Sequence, residues 1–209
     1  MSIAKKLYEQ GLITYMRTDS VTVSKEALPA IYNEIEKLYG KEYLEPRVYK
    51  KKSKSAQEAH EAIRPTHFGK KNAGSTDDQA RLYKLIWERT VSSQMADAKI
   101  LKTKVSANIK GVIANNANSD QNNANQNKIP DFSVIGSITA FPGWLAADTD
   151  AQGEEVQIPK LSENETLKLL NLNSEGKQTE PPGRYTEAGL VKELEKREIG
   201  RPSTYASIL

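Results

Sequence analysis

Cysteine is absent from this chain of 209 residues, which excludes disulfides, thiolate nucleophiles and zinc sites built on cysteine. Only two histidines are present, His60 and His67, too few for a histidine-rich metal centre. No apolar run is long enough to span a bilayer. The opening MSIAKKLYEQ is not a secretion signal, because Ile3, Leu7 and Tyr8 recur at helical spacing instead of forming a block. Net charge is only +3, so no global basic field marks the chain for nucleic acid. One cluster of like charge stands out, Lys50, Lys51, Lys52 and Lys54, with the composition of a solvated loop. These absences set the expectation of a non-membrane protein in a reducing, cytoplasmic location. With 37% hydrophobic residues it has material for one or two modest cores.

What is present falls into three zones. Residues 1–98 read as helical: a short stripe that Gly11 can terminate, a helix capped by Ser24 and running to about Leu38, and a third from a Thr76–Gln79 capping box to about Ala96. Leu28, Ile31, Ile35 and Leu38 line one face of the second, although Pro29 loosens its start. Leu82, Leu85, Ile86 and Val91 are assigned to packing in the third, together with Trp87 and Met95. The period then changes to two. Leu101 to Ile109 and Phe132 to Ala140 alternate as strands with one buried face. Between them, residues 115–127 are Asn- and Gln-rich and have the composition of a flexible insertion. Residues 148–155 read as an exposed loop and 156–161 as a short edge strand limited by Pro159. Ser162 and Glu165 predict a helix to Leu170, Thr186 caps another from about Glu187 to Arg197, and Ser203 caps a last one.

The most chemical stretch is 11–20, GLITYMRTDS. A tyrosine leaving an apolar step beside an arginine can attack a phosphodiester while the guanidinium neutralises developing charge. Read from these residues alone, the better description is a partly buried Tyr15 with a hydrogen-bonded hydroxyl; Arg17 has the alternative of a pairing with Asp19 or Glu9. Thr18 and Ser20 can donate to phosphate or cap the turn. A second stretch, 57–65 (QEAHEAIRP), places His60 between Glu58 and Glu61, ahead of Arg64. The third, 181–209 (PPGRYTEAGLVKELEKREIGRPSTYASIL), carries Arg184, Lys192 and Arg201, and Ser203 and Thr204 at a helix start that can cradle phosphate.

Taken together and in this order, the three stretches resemble the signatures of bacterial type IA DNA topoisomerases. The resemblance is strong over 1–98 and 178–209 and weak between. It implies a multi-domain α+β fragment: a helical tyrosine-bearing part (1–98), a strand-rich arch segment (99–177) and a helical DNA-binding base segment (178–209). Tyr15 would be the nucleophile, forming a transient 5′-phosphotyrosyl bond to one DNA strand through which another passes before religation, with relaxation of negative supercoils as the result. Arg17 and His60 would assist at the phosphate. Thr18, Asp19, Ser20, Arg64, Arg184, Lys192, Arg201, Ser203 and Thr204 would contact DNA.

The resemblance further implies Mg2+ as cofactor and no ATP, with single-stranded or negatively supercoiled DNA as partner. It implies a monomeric parent in the bacterial cytoplasm at the nucleoid. Nothing here resembles the family's N-terminal metal-binding domain, so the metal ligands are expected outside this chain, and none is assigned within it. Both ends read as cut, and the isolated chain is expected to be inactive. The competing readings are a non-enzymatic single-stranded nucleic-acid-binding module, a tyrosine recombinase or nicking enzyme, and a purely structural domain.

Overall fold

The computed structural model describes residues 2–49, 61–109 and 131–209. Its elements are α1 (Ser2–Glu9), α2 (Leu28–Tyr39), α3 (Asp77–Ser92), β1 (Lys99–Ala107), β2 (Phe132–Phe141), α4 (Glu187–Lys196) and α5 (Tyr205–Ile208), with short 3-10 turns at Lys41–Tyr43, Gly143–Ala146 and Thr149–Ala151. The fold is mixed α+β with an open antiparallel sheet. Among the described residues no helix is long and apolar enough to cross a membrane. The chain divides into two compact units, one of Met1–Ala98, Pro142–Gln152 and Thr179–Leu209, the other of Lys99–Phe141 and Gly153–Gln178.

The first unit is built on α3. Its N-cap is the predicted one: Thr76 Oγ1 accepts the Gln79 amide at 3.3 Å. The Gln79 side chain reaches back to the Ser75 amide at 2.9 Å, one residue earlier than a standard box. From there Tyr83, Trp87 and Val91 follow at four-residue spacing and are fully buried. They meet Leu7 of α1, Ile31 and Ile35 of α2, and Ile13, Met16, Phe68 and Met95 from the connections. Trp87 satisfies its indole N–H on the Phe68 carbonyl at 2.8 Å, as a buried tryptophan must. At the edge of this core the Lys71 ammonium lies 5.1 Å from the Trp87 ring and 5.5 Å from the Tyr39 ring.

Several sequence expectations are displaced, each for a local reason. α2 begins at Leu28, not after Ser24, because this puts Pro29 in the first turn, where its missing N–H costs nothing. α3 ends at Ser92; the amides of Gln94 and Met95 already bond three residues back, which tightens and stops the helix. Leu38 and Leu85 lie outside the core, at 39% and 48% exposed. Asp148 was expected in an exposed loop and is buried instead, within 3.5 Å of Arg89. The last cap is Thr204, one residue past Ser203.

The second unit is a two-stranded ribbon in which Leu101 faces Ile138, Thr103 faces Gly136 and Val105 faces Val134. The strands are where alternation puts them, but their apolar face is largely open: Leu101, Phe132 and Val134 are 60%, 46% and 49% exposed. Residues 156–158 lie against the free edge of β2 and reach over the face at one point. Val156 bridges to Ser137, and a Cβ at Gly136 would stand 2.6 Å from Ile158, so this glycine makes room for that side chain. The Ser162 capping box forms half of its contacts, Glu165 Oε2 accepting the Ser162 amide at 2.9 Å. No helix follows; Leu167, Leu169 and Leu170 find nothing to bury against.

Two predictions follow from this packing. Gly143 has φ +53°, and a Cβ there would meet the Ala96 carbonyl at 2.5 Å, whereas a Cβ at Gly153 would meet nothing within 4 Å. Gly143→Ala is therefore expected to cost about 2 kcal/mol or more in urea unfolding, and Gly153→Ala less than about 0.5 kcal/mol. Burial raises the Tyr83 phenol above its usual 10.0. Burial first, then Glu88 and Glu34, does the same for Tyr39. Their stabilisation is complete below the unfolded-state value and is lost as pH rises through the folded one. Stability should fall above about pH 10, less steeply in Tyr83→Phe, as read by unfolding at a series of alkaline pH values.

Candidate functional site

The 11–20 stretch leaves α1 through a Schellman turn. Gly11 adopts φ +68°, its amide bonds the Tyr8 carbonyl at 2.8 Å, and the Leu12 amide bonds the Leu7 carbonyl at 3.0 Å. The chain then bends at Leu12, Thr14, Met16 and Arg17; Ile13 and Met16 point into the core at 1% and 8% exposed, and Tyr15 between them stands outward at 40%. The Tyr8 ring meets the Tyr15 ring edge-on, with centroids 5.4 Å apart and planes at 75°. The core thus holds the segment from below while the Tyr15 side chain stays partly exposed.

The segment is also held from the side. Ile13 forms an antiparallel bridge with Pro65: the Thr14 amide bonds the Arg64 carbonyl at 2.9 Å, and the Thr66 amide bonds the Leu12 carbonyl at 3.0 Å. Residues 13 and 65 are the non-hydrogen-bonded pair of this bridge, so a proline without an N–H fits there. Thr66 adds its hydroxyl to the Gly11 carbonyl at 2.6 Å. Thr14 donates its hydroxyl to the Ala62 carbonyl and accepts the Arg64 amide, both at 2.9 Å. The first two chemical stretches of the sequence are therefore one piece of structure.

The predicted residues differ in what they are free to do. Arg17 is exposed and makes no ion pair with any described residue, Asp19 included; Glu9 is taken by Lys5 at 3.5 Å. Thr18 Oγ1 accepts the Ser20 amide at 3.0 Å and Ser20 Oγ the Thr22 amide at 3.2 Å, so both shape the turn while each keeps its own hydroxyl hydrogen for another acceptor. Asp19 is half-buried between them. Arg64 is committed: its Nε and Nη2 bind Glu61 at 2.9 and 3.1 Å and its Nη1 donates to the Pro65 carbonyl at 3.0 Å. His60 and the lysine cluster lie outside the described residues.

Arg184, Lys192, Arg201 and Ser203 are exposed along the segment that carries α4 and α5. Thr186 caps α4, accepting the Gly189 amide at 3.1 Å. Thr204 is occupied locally, accepting the Arg201 amide at 2.9 Å and donating to the Arg201 carbonyl at 3.1 Å. Among the described residues no hydrogen bond or ion pair joins this group to the Tyr15 segment. Sequence reasoning missed Thr14, Thr66 and Glu61. A β-branched hydroxyl residue inside an otherwise apolar step was the available signal for Thr14.

Comparison with known proteins shows what the whole chain is similar to. A family profile described as DNA topoisomerase matches residues 1–209. The chain is 45% identical over 222 residues to DNA topoisomerase 1 of Streptomyces coelicolor, covering all of this chain and 22% of that protein. It is 44% identical over 225 residues to DNA topoisomerase 1 of Mycolicibacterium smegmatis, covering all of this chain and 23% of that one. The structure of full-length topoisomerase I from Thermotoga maritima superposes with a TM-score of 0.76 at 33% identity, over 99% of this chain and 32% of that one. The chain thus spans under a quarter of the length of these two curated relatives.

The contrast between the two arginines is testable by denaturant unfolding. Arg64→Lys cannot reproduce the fork on Glu61 together with the bond to Pro65 and should cost about 1–2 kcal/mol. Arg17→Lys, at an exposed position with no ion pair among the described residues, should stay within about 0.5 kcal/mol of the parent.

Proposed function

This chain belongs to the bacterial, type IA family of DNA topoisomerases, and we propose that it carries the strand-cleaving tyrosine of such an enzyme, Tyr15. The observation that carries the reading is the mounting of this partly exposed tyrosine on a short bent segment that is clamped by the core on one side and by residues 62–66 on the other. Such a mount fixes a nucleophile against a phosphodiester at little further entropic cost. The Tyr15 oxygen attacks phosphorus, the bond from phosphorus to the 3′ oxygen breaks, and a 5′-phosphotyrosyl ester remains. The phenol proton leaves as the departing oxygen takes one up, and return of the 3′-hydroxyl reverses every bond. Because the ester conserves the bond energy, neither ATP nor a ligase is needed.

Arg17, exposed and without an ion pair among the described residues, is suited to hold the phosphate charge beside Tyr15. The commitment of Arg64 to Glu61 gives it a positioning part in this reading. Thr18 and Ser20 can each offer a hydroxyl hydrogen to the backbone of a single strand, and Arg184, Lys192, Arg201 and Ser203 add a basic, hydroxyl-bearing stretch. His60 is proposed as a further phosphate contact. The family implies Mg2+, which would help to neutralise and orient the phosphate. The described residues do not fit it, since no group of three or more His, Cys, Asp or Glu side chains gathers there. Because the family carries its metal ligands on a separate domain, they are proposed to lie outside this chain, which by itself would bind single-stranded DNA without cutting it. The parent protein would act in the bacterial cytoplasm.

The test uses a chimera in which these 209 residues replace their counterpart in the Streptomyces coelicolor relative. With Mg2+ and single-stranded DNA, the chimera should give a denaturant-stable protein–DNA adduct. Tyr15→Phe should abolish the adduct and leave DNA affinity within about threefold, with affinity falling steeply in salt as phosphate contacts require. An undiminished adduct in Tyr15→Phe would overturn the reading. Salt-sensitive binding without any adduct from the parent chimera would favour a non-enzymatic single-strand-binding module.

A further inference from the structure

We propose that Thr14 is the positioning residue for the Tyr15 nucleophile, its hydroxyl setting the main chain at Tyr15 against the segment 61–64. The inference rests on the reading of Tyr15 given above. Three observations carry it. The first is the reciprocal pair of 2.9 Å bonds, in which one hydroxyl donates to the Ala62 carbonyl and accepts the Arg64 amide. A threonine hydroxyl offers one hydrogen and two lone pairs, so here its donor and an acceptor site are both spent on two residues of a single neighbouring segment. The second is the end of the ladder. Main-chain bonds join the Thr66 amide to Leu12 and the Thr14 amide to Arg64, but the rung that would return from the Arg64 amide to the Thr14 carbonyl is not made. The Arg64 amide is satisfied by the threonine hydroxyl, so the side chain takes over where the ladder stops.

The third is the neighbourhood. The residue after Thr14 is Tyr15, and the segment held by the hydroxyl is the one stiffened by the Glu61–Arg64 fork. Any slack between these two segments would appear directly as misplacement of the phenol. Valine keeps the shape of threonine and removes both bonds; serine keeps the hydroxyl and removes a methyl group. That difference separates positioning from packing. Misplacing a reacting group by about 1 Å can cost about 100-fold in rate, so loss of the lock should be visible in the cleavage step and not in DNA binding, which rests on other groups.

The experiment measures single-turnover adduct formation and DNA affinity in the same chimera, together with amide hydrogen exchange in the 209-residue chain. Thr14→Val is expected to slow adduct formation about 10- to 100-fold with affinity unchanged within about twofold. The Thr14 and Arg64 amides should exchange faster while those of α3 keep their protection. Thr14→Ser should recover most of the rate. Adduct formation at the parental rate in Thr14→Val would overturn the proposal while leaving Tyr15 as the nucleophile. Loss of α3 protection along with the rate, or failure of serine to rescue, would assign Thr14 to general stability and equally overturn it. An adduct that persists in Tyr15→Phe would instead sink the reading on which the proposal stands.

Discussion

The interaction on which the rest depends is the docking of residues 11–14 against 62–66. It joins two stretches about 50 residues apart in the chain, as the separations of the Thr14 bonds record, and places both beside a buried helix. Closing such a loop costs entropy that grows only slowly with its length. The closure is held by main-chain bonds, two threonine hydroxyls and the burial of Ile13 and Pro65. Everything chemically interesting in this part of the molecule hangs from that joint. Tyr15 and Arg17 project from one side of it, and the Glu61–Arg64 fork stiffens the other.

The joint has a firm base because α3 is an unusually well-satisfied core helix. Tyr83 and Trp87 both bury rings and both place their polar atoms on backbone carbonyls of the loop that follows the joint, Lys70 and Phe68. The loop that could have loosened the arrangement is thereby fastened to its most buried element. Tyr15 in its proposed role gains from preorganisation, since motion there must disturb hydrogen bonds or core packing on either side. The same logic separates the arginines. The one with its fork closed on a carboxylate serves the mount; the exposed one, with no ion pair among the described residues, is the one proposed for a phosphate.

Much of this was legible in the sequence, and where it was, the signal was local. Gly11 after a short stripe encodes a C-cap, Thr76 with Gln79 a helix start, and period-two alternation the ribbon; each depends on residues within one turn or one strand. The failures were equally physical. Pro29 shifts a helix start because the position of a proline outweighs a good capping serine upstream. Leu167 to Leu170 carry a cap and apolar residues but have no surface to pack on, so no helix forms. Asp148 looks like loop chemistry until the chain brings Arg89 beside it. Within the site, the residues with evident chemistry were visible, whereas Thr14 was passed over because its partners, Ala62 and Arg64, are distant in sequence and contribute mainly backbone atoms.

The measurement that bears most directly on the central claim is the identity and polarity of the trapped linkage. Single-stranded DNA labelled at one end or the other would be captured on the chimera with denaturant after incubation with Mg2+, and the adducted peptide identified by mass spectrometry. A phosphoryl link from the DNA 5′ end to the peptide bearing Tyr15, with a free 3′-hydroxyl on the other product, is the predicted result. A link through the 3′ end, or to a peptide that lacks Tyr15, would contradict the account.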